Sequence, residues 1–459
     1  MSRPGMKKWR IEMEQKRVEK LSWKLKLFWP LFGISTSVAG VVTGYISYYA
    51  SDYMGISVAL VGTLIMISKI FDGFTDVMAG YLIDRTHTKY GKGRPYDFSL
   101  IGYWLSIIAL YCAPRMSVVL SAAYLFIMYT LINSVFATLM NCGGAVYMAN
   151  ALDDPRQSVS LISITSTLGT LCTMVASIIL PQMLDKLGNT SAAWKTIALS
   201  FGIPMMILGM LRFFMVKEKR NSDVKNERIG FKEMLQVLAK NKYILLVALI
   251  NCWCSIGCNL NINTSTYYCV YIMKNIGLQS ILSLSMVSVI LIVILMPFLS
   301  KKFGTVNVMR VCSLFGAFGY ILRLFDLNSV PLLVASSFIS MVGFYTFFSF
   351  SSAMVIDCMD YGEWKTGKRS EGAVAATQSV CSKVGAAIGV GLCGFLMGMA
   401  GYNGNLDVQT AGTNAMIIAL SSWIPAAFCI VEFIMLKFYK LEENLPQIRL
   451  ELNDRRNIK

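Results

Sequence analysis

The chain has 459 residues, 55% hydrophobic and 15% charged, with a mean hydropathy of +0.56; soluble domains carry roughly 25% charged residues. That composition excludes an ordinary water-soluble fold and reads as an all-α integral membrane protein. The net charge of +16 is scattered over short loops, which argues against nucleic acid as a partner, and a lone histidine, His87, excludes a histidine-based metal site or triad.

Apolar runs of about 20 residues predict twelve spans, beginning near Leu27, Val58, Phe98, Val118, Val159, Thr196, Ile244, Ile281, Val308, Pro331, Ala373 and Ala415. Basic residues crowd before the first span (Lys7, Lys8, Arg10, Lys16). They recur in alternate loops: Arg85 to Arg94, KEKRNSDVKNER from Lys217, Lys301 and Lys302, Lys365 to Arg369, Arg455 and Arg456. By the positive-inside rule both termini are expected in the cytoplasm, with lipid headgroups as a secondary contact. The predicted layout is a basic N-terminus (1–26), a six-helix half (27–216), a central cytoplasmic loop (217–243), a second six-helix half (244–438) and a cytoplasmic C-terminus (439–459). FKEMLQVLAKNKY, from Phe231, has the pattern of a short amphipathic surface helix. The N-terminus shows no cleavable signal pattern. The twelve cysteines have neither metal nor disulfide spacing; Cys252, Cys254 and Cys258 read as small-residue packing.

Span one offers Thr36 and Tyr45 as polar groups for a solute pocket. Span two holds the most informative pair, Asp72 and Asp76, in LVGTLIMISKIFDGFTDVMAGYLI. A spacing of four puts both carboxylates on one helix face, and charges inside an apolar span usually line an ion or proton path. The two can bind Na⁺ or Li⁺ through oxygens, or one can carry H⁺; the residues leave both open. The loop after span two contributes Asp84, Arg85 and Arg94 as gating candidates. FLSKKFG after span eight echoes it faintly, as a duplicated transporter would. In span four, the polar break FATLMNCGG supplies Thr138 as a further cation ligand and Asn141 as a pocket residue. The following loop brings Asp153, Asp154 and Arg156.

Span seven is unusually polar, NLNINTSTYY from Asn259, with Asn261, Asn263 and Thr264 as pocket candidates. Span ten adds Phe348 and ends in Asp357, Asp360 and Glu363. These are expected to face the basic run Lys365, Lys368 and Arg369 and, with Arg156, to lock the cytoplasmic side. Gln378 and Lys383 lie in span eleven. A lysine in a span wants a carboxylate, and Lys383 is expected to pair with Asp72 or Asp76 and to trade that partner for an incoming cation. Lys69, one turn before Asp72, competes for the same role.

The segments KIFDGFTDVMAGYLIDRTHTKYGKGRPY and DYGEWKTGKRSEG, with Lys383 downstream and the ending FYKLEENLPQI, resemble the glycoside–pentoside–hexuronide:cation symporters of the major facilitator superfamily. The resemblance covers both halves. It implies a major facilitator fold, alternating access, Na⁺, Li⁺ or H⁺ as the coupling ion with no other cofactor, and a bacterial inner membrane as the usual home. By position, Asp72, Asp76 and Thr138 match the family's cation site and Lys383 its span-eleven lysine. The sugar-binding positions depart: Thr36 and Asn141 stand where the pattern has aspartates, Ala145 where it has tryptophan, and Ser163 near its arginine. The expected function is therefore uptake of a sugar or sugar-like solute coupled to a cation, by a protein for which a monomer suffices. A non-sugar solute, such as an amphiphile or organic anion, is the alternative; a non-transporting membrane sensor is a remoter one. No nucleophile–base set and no P-loop are present, so neither an enzyme nor an ATP-driven pump is expected.

Overall fold

The computed structural model describes residues 21–86, 88–114, 116–152, 157–218, 241–366, 371–404, 406 and 408–457. Among them the one β feature is a single bridge, Thr88 to Gly91; the remaining regular structure is helix. The first half contains α1 (Trp23–Tyr53), α2 (Val58–Arg85), α3 (Ser99–Tyr111), α4 (Val118–Ala151), α5 (Gln157–Leu187) and α6 (Ser191–Met215). The second contains α7 (Lys242–Ile272), α8 (Leu278–Ser283, resumed as Met286–Phe303), α9 (Thr305–Leu322), α10 (Val330–Thr366), α11 (Glu371–Met399) and α12 (Ala411–Ser421, resumed as Trp423–Lys437).

Lipid cannot hydrogen-bond a backbone, so each apolar run satisfies its peptide groups within its own helix. Side chains start several of them: Ser57 accepts from the Leu60 N–H, Thr190 from Ala193, Asn241 from Tyr243 and Ile244, and Thr410 from Thr413. Among the described residues ten helical stretches are long and apolar enough to cross a membrane. Of the other two predicted spans, α2 contributes the shorter apolar stretch Val58–Lys69, and α3 has only 13 residues, preceded by the 3-10 turn Arg94–Phe98.

A thirteenth helix, α13 (Leu441–Asn457), lies where the sequence reading placed only a polar tail. It is amphipathic: Leu441, Leu445, Ile448 and Leu452 are buried against the second half, while Leu450 is exposed. The amphipathic helix expected from Phe231 lies outside the described residues.

Each half is tied at the same point by a carboxylate just beyond its sixth helix. Glu218, after α6, accepts the N–H groups of Gly93 and Arg94 at 3.1 and 3.0 Å. Glu442, after α12, accepts those of Thr305 and Val306 at 2.7 and 3.0 Å. Beside each sits an arginine on a helix-end carbonyl: Arg94 donates to Phe213 O, and Arg310 to Leu436 O. The faint sequence echo between the two loops is thus a shared set of bonds. A buried pair, Asp97 with Arg212, further joins the entry of α3 to α6, with the guanidinium 3.5 Å over the Phe32 ring of α1.

The halves meet along α2 and α11, α5 and α8, and α1 and α7. Glycine sets the first contact: a Cβ on Gly62 would stand 3.1 Å from the Gly394 Cα and 3.2 Å from the Val390 carbonyl. Ser280 and Ser283 of α8 donate to the Ile178 and Ser177 carbonyls of α5 at 2.6 and 3.2 Å.

Candidate functional site

Three rungs join α2 to α4. Thr130 donates to the Ser68 hydroxyl at 3.0 Å, Ser134 donates to an Asp72 oxygen, and Thr138 donates to Asp76 Oδ1 at 3.3 Å. Residues four apart on one helix meet residues four apart on the other, so every rung spans 62 positions. The middle rung lies in a π turn, Leu131–Ala137, a wider helical geometry that recurs at functional sites. The sequence pointed to Asp72, Asp76 and Thr138 but missed Ser134. Its signal was the hydroxyl spacing Thr130, Ser134, Thr138, which repeats the period of the aspartates.

The two carboxylates differ in access. Asp72 is 7% exposed and Ser134 fully buried, whereas the side chains of Asp76 and Lys383 are 39% and 38% exposed. Lys383 Nζ lies 2.5 Å from Asp76 Oδ2, reaching from α11 across the boundary between halves. Among the described residues Lys383, not Lys69, makes the ion pair, which resolves the ambiguity left by spacing. An ion pair so open to solvent is worth about 0–1 kcal/mol. The donor set is two carboxylates and hydroxyls. Among the described residues no group of three or more His, Cys, Asp or Glu side chains is placed to hold a metal. Such oxygens suit an alkali cation or a proton and lack the soft ligands that select transition metals.

A second cross-half cluster closes the opposite stretch of the same boundary, at the C-terminal ends of α1 and α7. The Asp52 carboxylate accepts the hydroxyls of Ser51 and Tyr271, and the Tyr402 hydroxyl lies 2.9 and 2.8 Å from its two oxygens. Alongside, Ser51 meets the Tyr267 hydroxyl at 3.1 Å and Ser47 donates to Asn263 at 3.1 Å. Both helices end in π turns here, Tyr49–Tyr53 and Tyr268–Ile272. Asp52 escaped the sequence reading because an acidic residue at the end of a span is ordinary; only its partners, more than 200 positions away, give it weight.

The expected solute residues do not gather in one place. A cavity of about 310 Å³ between the halves is lined by Tyr45 and Asn261, but not by Thr36, Asn141, Phe348 or Gln378. The Thr36 hydroxyl donates back to the carbonyls of Phe32 and Gly33 in its own helix. Asn141 is exposed, Phe348 packs beside Phe347, and the buried Gln378 amide nitrogen has no hydrogen-bond partner among the described residues.

The expected gating residues also divide. Asp357 and Asp360 take Arg449 of α13, at 3.1 and 2.9 Å, a partner the sequence reading did not consider. Trp364 donates to Glu451 of the same helix at 2.6 Å. Glu363 is half-buried on the last turn of α10. Arg85 is exposed over the Tyr81 ring, and Arg94 serves the fold of its own half. Arg156, Arg369 and the Asp84 side chain lie outside the described residues.

A family model described as MFS/sugar transport protein matches residues 31–443. Among curated proteins, the chain is 27% identical to the isoprimeverose transporter of Lactiplantibacillus pentosus, over 90% of this chain and 88% of that one. It is 24% identical to the glucuronide carrier protein homolog of Escherichia coli K12, over 96% and 97% of the two chains. In structure it resembles the nucleoside transporter NupG, with a TM-score of 0.64 at 14% identity over 91% of this chain and 99% of that one.

Proposed function

The chain belongs to the MFS/sugar transport protein family, and on that premise we propose that it carries a sugar or sugar-like solute together with Na⁺, Li⁺ or H⁺ by alternating access. The observation that carries the coupling is the Asp76 carboxylate, shared between the Thr138 hydroxyl of one half and the Lys383 ammonium of the other. A cation entering at Asp72 and Asp76 takes over those oxygens and releases Lys383. That removes one tie between the halves and favours the conformation that binds solute; a ligand shifts such an equilibrium only through its different affinity for the two states.

Basic loops at the Arg85 end support assigning that end to the cytoplasm. The Asp52 cluster then closes the outer side, and the conformation described is open inward. The relatives named for isoprimeverose and for glucuronide support a glycoside as the solute class.

The test is uptake of labelled glycosides into proteoliposomes under an imposed Na⁺, Li⁺ or pH gradient, for the wild type and Asp76→Asn. Gradient-driven accumulation by the wild type, lost in the variant, is expected. Uptake that ignores all three gradients would overturn the coupling.

A further inference from the structure

Beneath the Asp52 cluster lies the cavity of about 310 Å³, walled by α1 and α5 on one side and by α7, α8 and α10 on the other. Its size is at the lower end of the range for small-molecule pockets, roughly 300–1,000 Å³. On α1 it runs along Gly40, Gly44 and Tyr45. A Cβ added at either glycine would meet nothing within 4 Å. These two glycines keep space open, unlike Gly62 and Gly394, which let helices touch.

Three polar groups on this wall have no hydrogen bond to protein among the described residues: the Tyr45 hydroxyl, the Asn261 amide and the Gln279 amide nitrogen. Gln279 spends its oxygen on the Ser265 hydroxyl at 3.0 Å and the Cys269 thiol at 3.3 Å, which turns its N–H groups to the cavity. Polar groups facing a cavity between membrane helices are paired by water or by a ligand, since leaving them unpaired is costly. They come from both halves, as a solute-binding site between two rocking bodies requires. The closed cluster lies just beyond: Ser47 and Ser51 follow Tyr45 on α1, and Asn263 and Tyr267 follow Asn261 on α7. The cavity is therefore what remains of the solute path behind a shut gate.

No lining residue carries a charge. A carboxylate or sulfonate brought here would lose its hydration without a cation to replace it, a cost of several kcal/mol for an unpaired buried ion. Leu282, Met286 and Met341 add apolar wall among the polar groups, against which the C–H faces of a sugar ring can pack. We propose that this chamber is the solute-recognition site and selects a neutral, polyhydroxylated ring over its uronate or sulfonate counterpart, through Tyr45, Asn261 and Gln279. The proposal rests on the sugar-symporter reading and adds the chamber's position and the charge of its ligand.

The experiment compares neutral methyl glycosides of glucose, galactose and xylose with methyl glucuronide and a methyl 6-sulfoglucoside. It reads thermal stabilisation of purified protein and inhibition of uptake, for the wild type, Asn261→Leu, Gln279→Leu and Gly44→Leu. At least one neutral glycoside is expected to bind about tenfold more tightly than either anion, and each variant to weaken it about tenfold, the worth of one good hydrogen bond or a filled subsite. Stabilisation by Na⁺, Li⁺ or acid is expected to persist in the variants, which shows that they fold. If a variant does not fold, the charge comparison on the wild type decides alone. Anions binding as well as the neutral glycosides, or neutral binding untouched in all three folded variants, overturns the chamber while leaving symport standing. No glycoside of either charge binding, with cation stabilisation intact, overturns the sugar reading itself and this proposal with it.

Discussion

Asp72 and Asp76 sit in one helix, four residues apart, yet their surroundings differ. Asp72 is closed in, with the Ser134 hydroxyl on its carboxylate; Asp76 is partly open to solvent and held by Lys383. The pair was legible because carboxylates stand out in an apolar run. Ser134 was easily passed over, because a serine in a membrane helix is common and usually bonds within its own helix, so only its spacing from Thr130 and Thr138 marks it. Removing it strands a buried carboxylate, a loss of about 1–3 kcal/mol. Ser134→Ala is therefore expected to weaken cation-dependent thermal stabilisation about tenfold, with Ser134→Thr largely restoring it. A cation titration of Ser134→Ala indistinguishable from the wild type would refute the rung.

At the scale of elements, the ends of α1 and α7 are joined by hydroxyls pointing at one carboxylate, which we propose as the outer gate. Tyr271 and Tyr402 both reach Asp52, so the Tyr271→Phe, Tyr402→Phe double variant keeps the rings and removes the bonds. Backbone amides of 47–53 and 263–272 are expected to exchange with deuterium several-fold faster, since a latched segment opens less often than a free one. Unchanged protection would mean that ring packing alone holds the gate. The sequence reading looked for gating at the other end, in acidic and basic loops. It expected Asp357 and Asp360 to face the neighbouring basic run, of which Lys368 and Arg369 lie outside the described residues. Arg449, which also reaches both, belongs to α13, and a helix whose apolar face needs a docking surface cannot be located from its own sequence.

Across the molecule, the two halves repeat one device. Glu218 and Glu442 each hold two backbone N–H groups of the turn after the second helix of their half. Hydrogen bonds to a charged group contribute about 1.5–3 kcal/mol. Glu218→Gln and Glu442→Gln are therefore each expected to lower the melting temperature, by similar amounts. The double variant is expected to sum the two, because distant sites with no shared partner act independently. A double variant no worse than one single would show that the halves do not carry equivalent ties.

The sequence alone determined that the chain is a helical membrane protein, and it singled out Asp72 and Asp76 as a pair, with Thr138 and Lys383 added by the family resemblance. The first two follow from hydrophobic run length, charge placement and a four-residue spacing, all local along the chain. The tertiary structure decided which lysine pairs with Asp76, that Ser134 joins Asp72, that Asp52 closes one end, and that Tyr45 and Asn261 face a chamber that Thr36 and Asn141 do not line. Each of those depends on which helix faces which. Helix partners are chosen by steric fit, as at Gly62 and Gly394, and steric fit leaves no periodic signature in the order of residues.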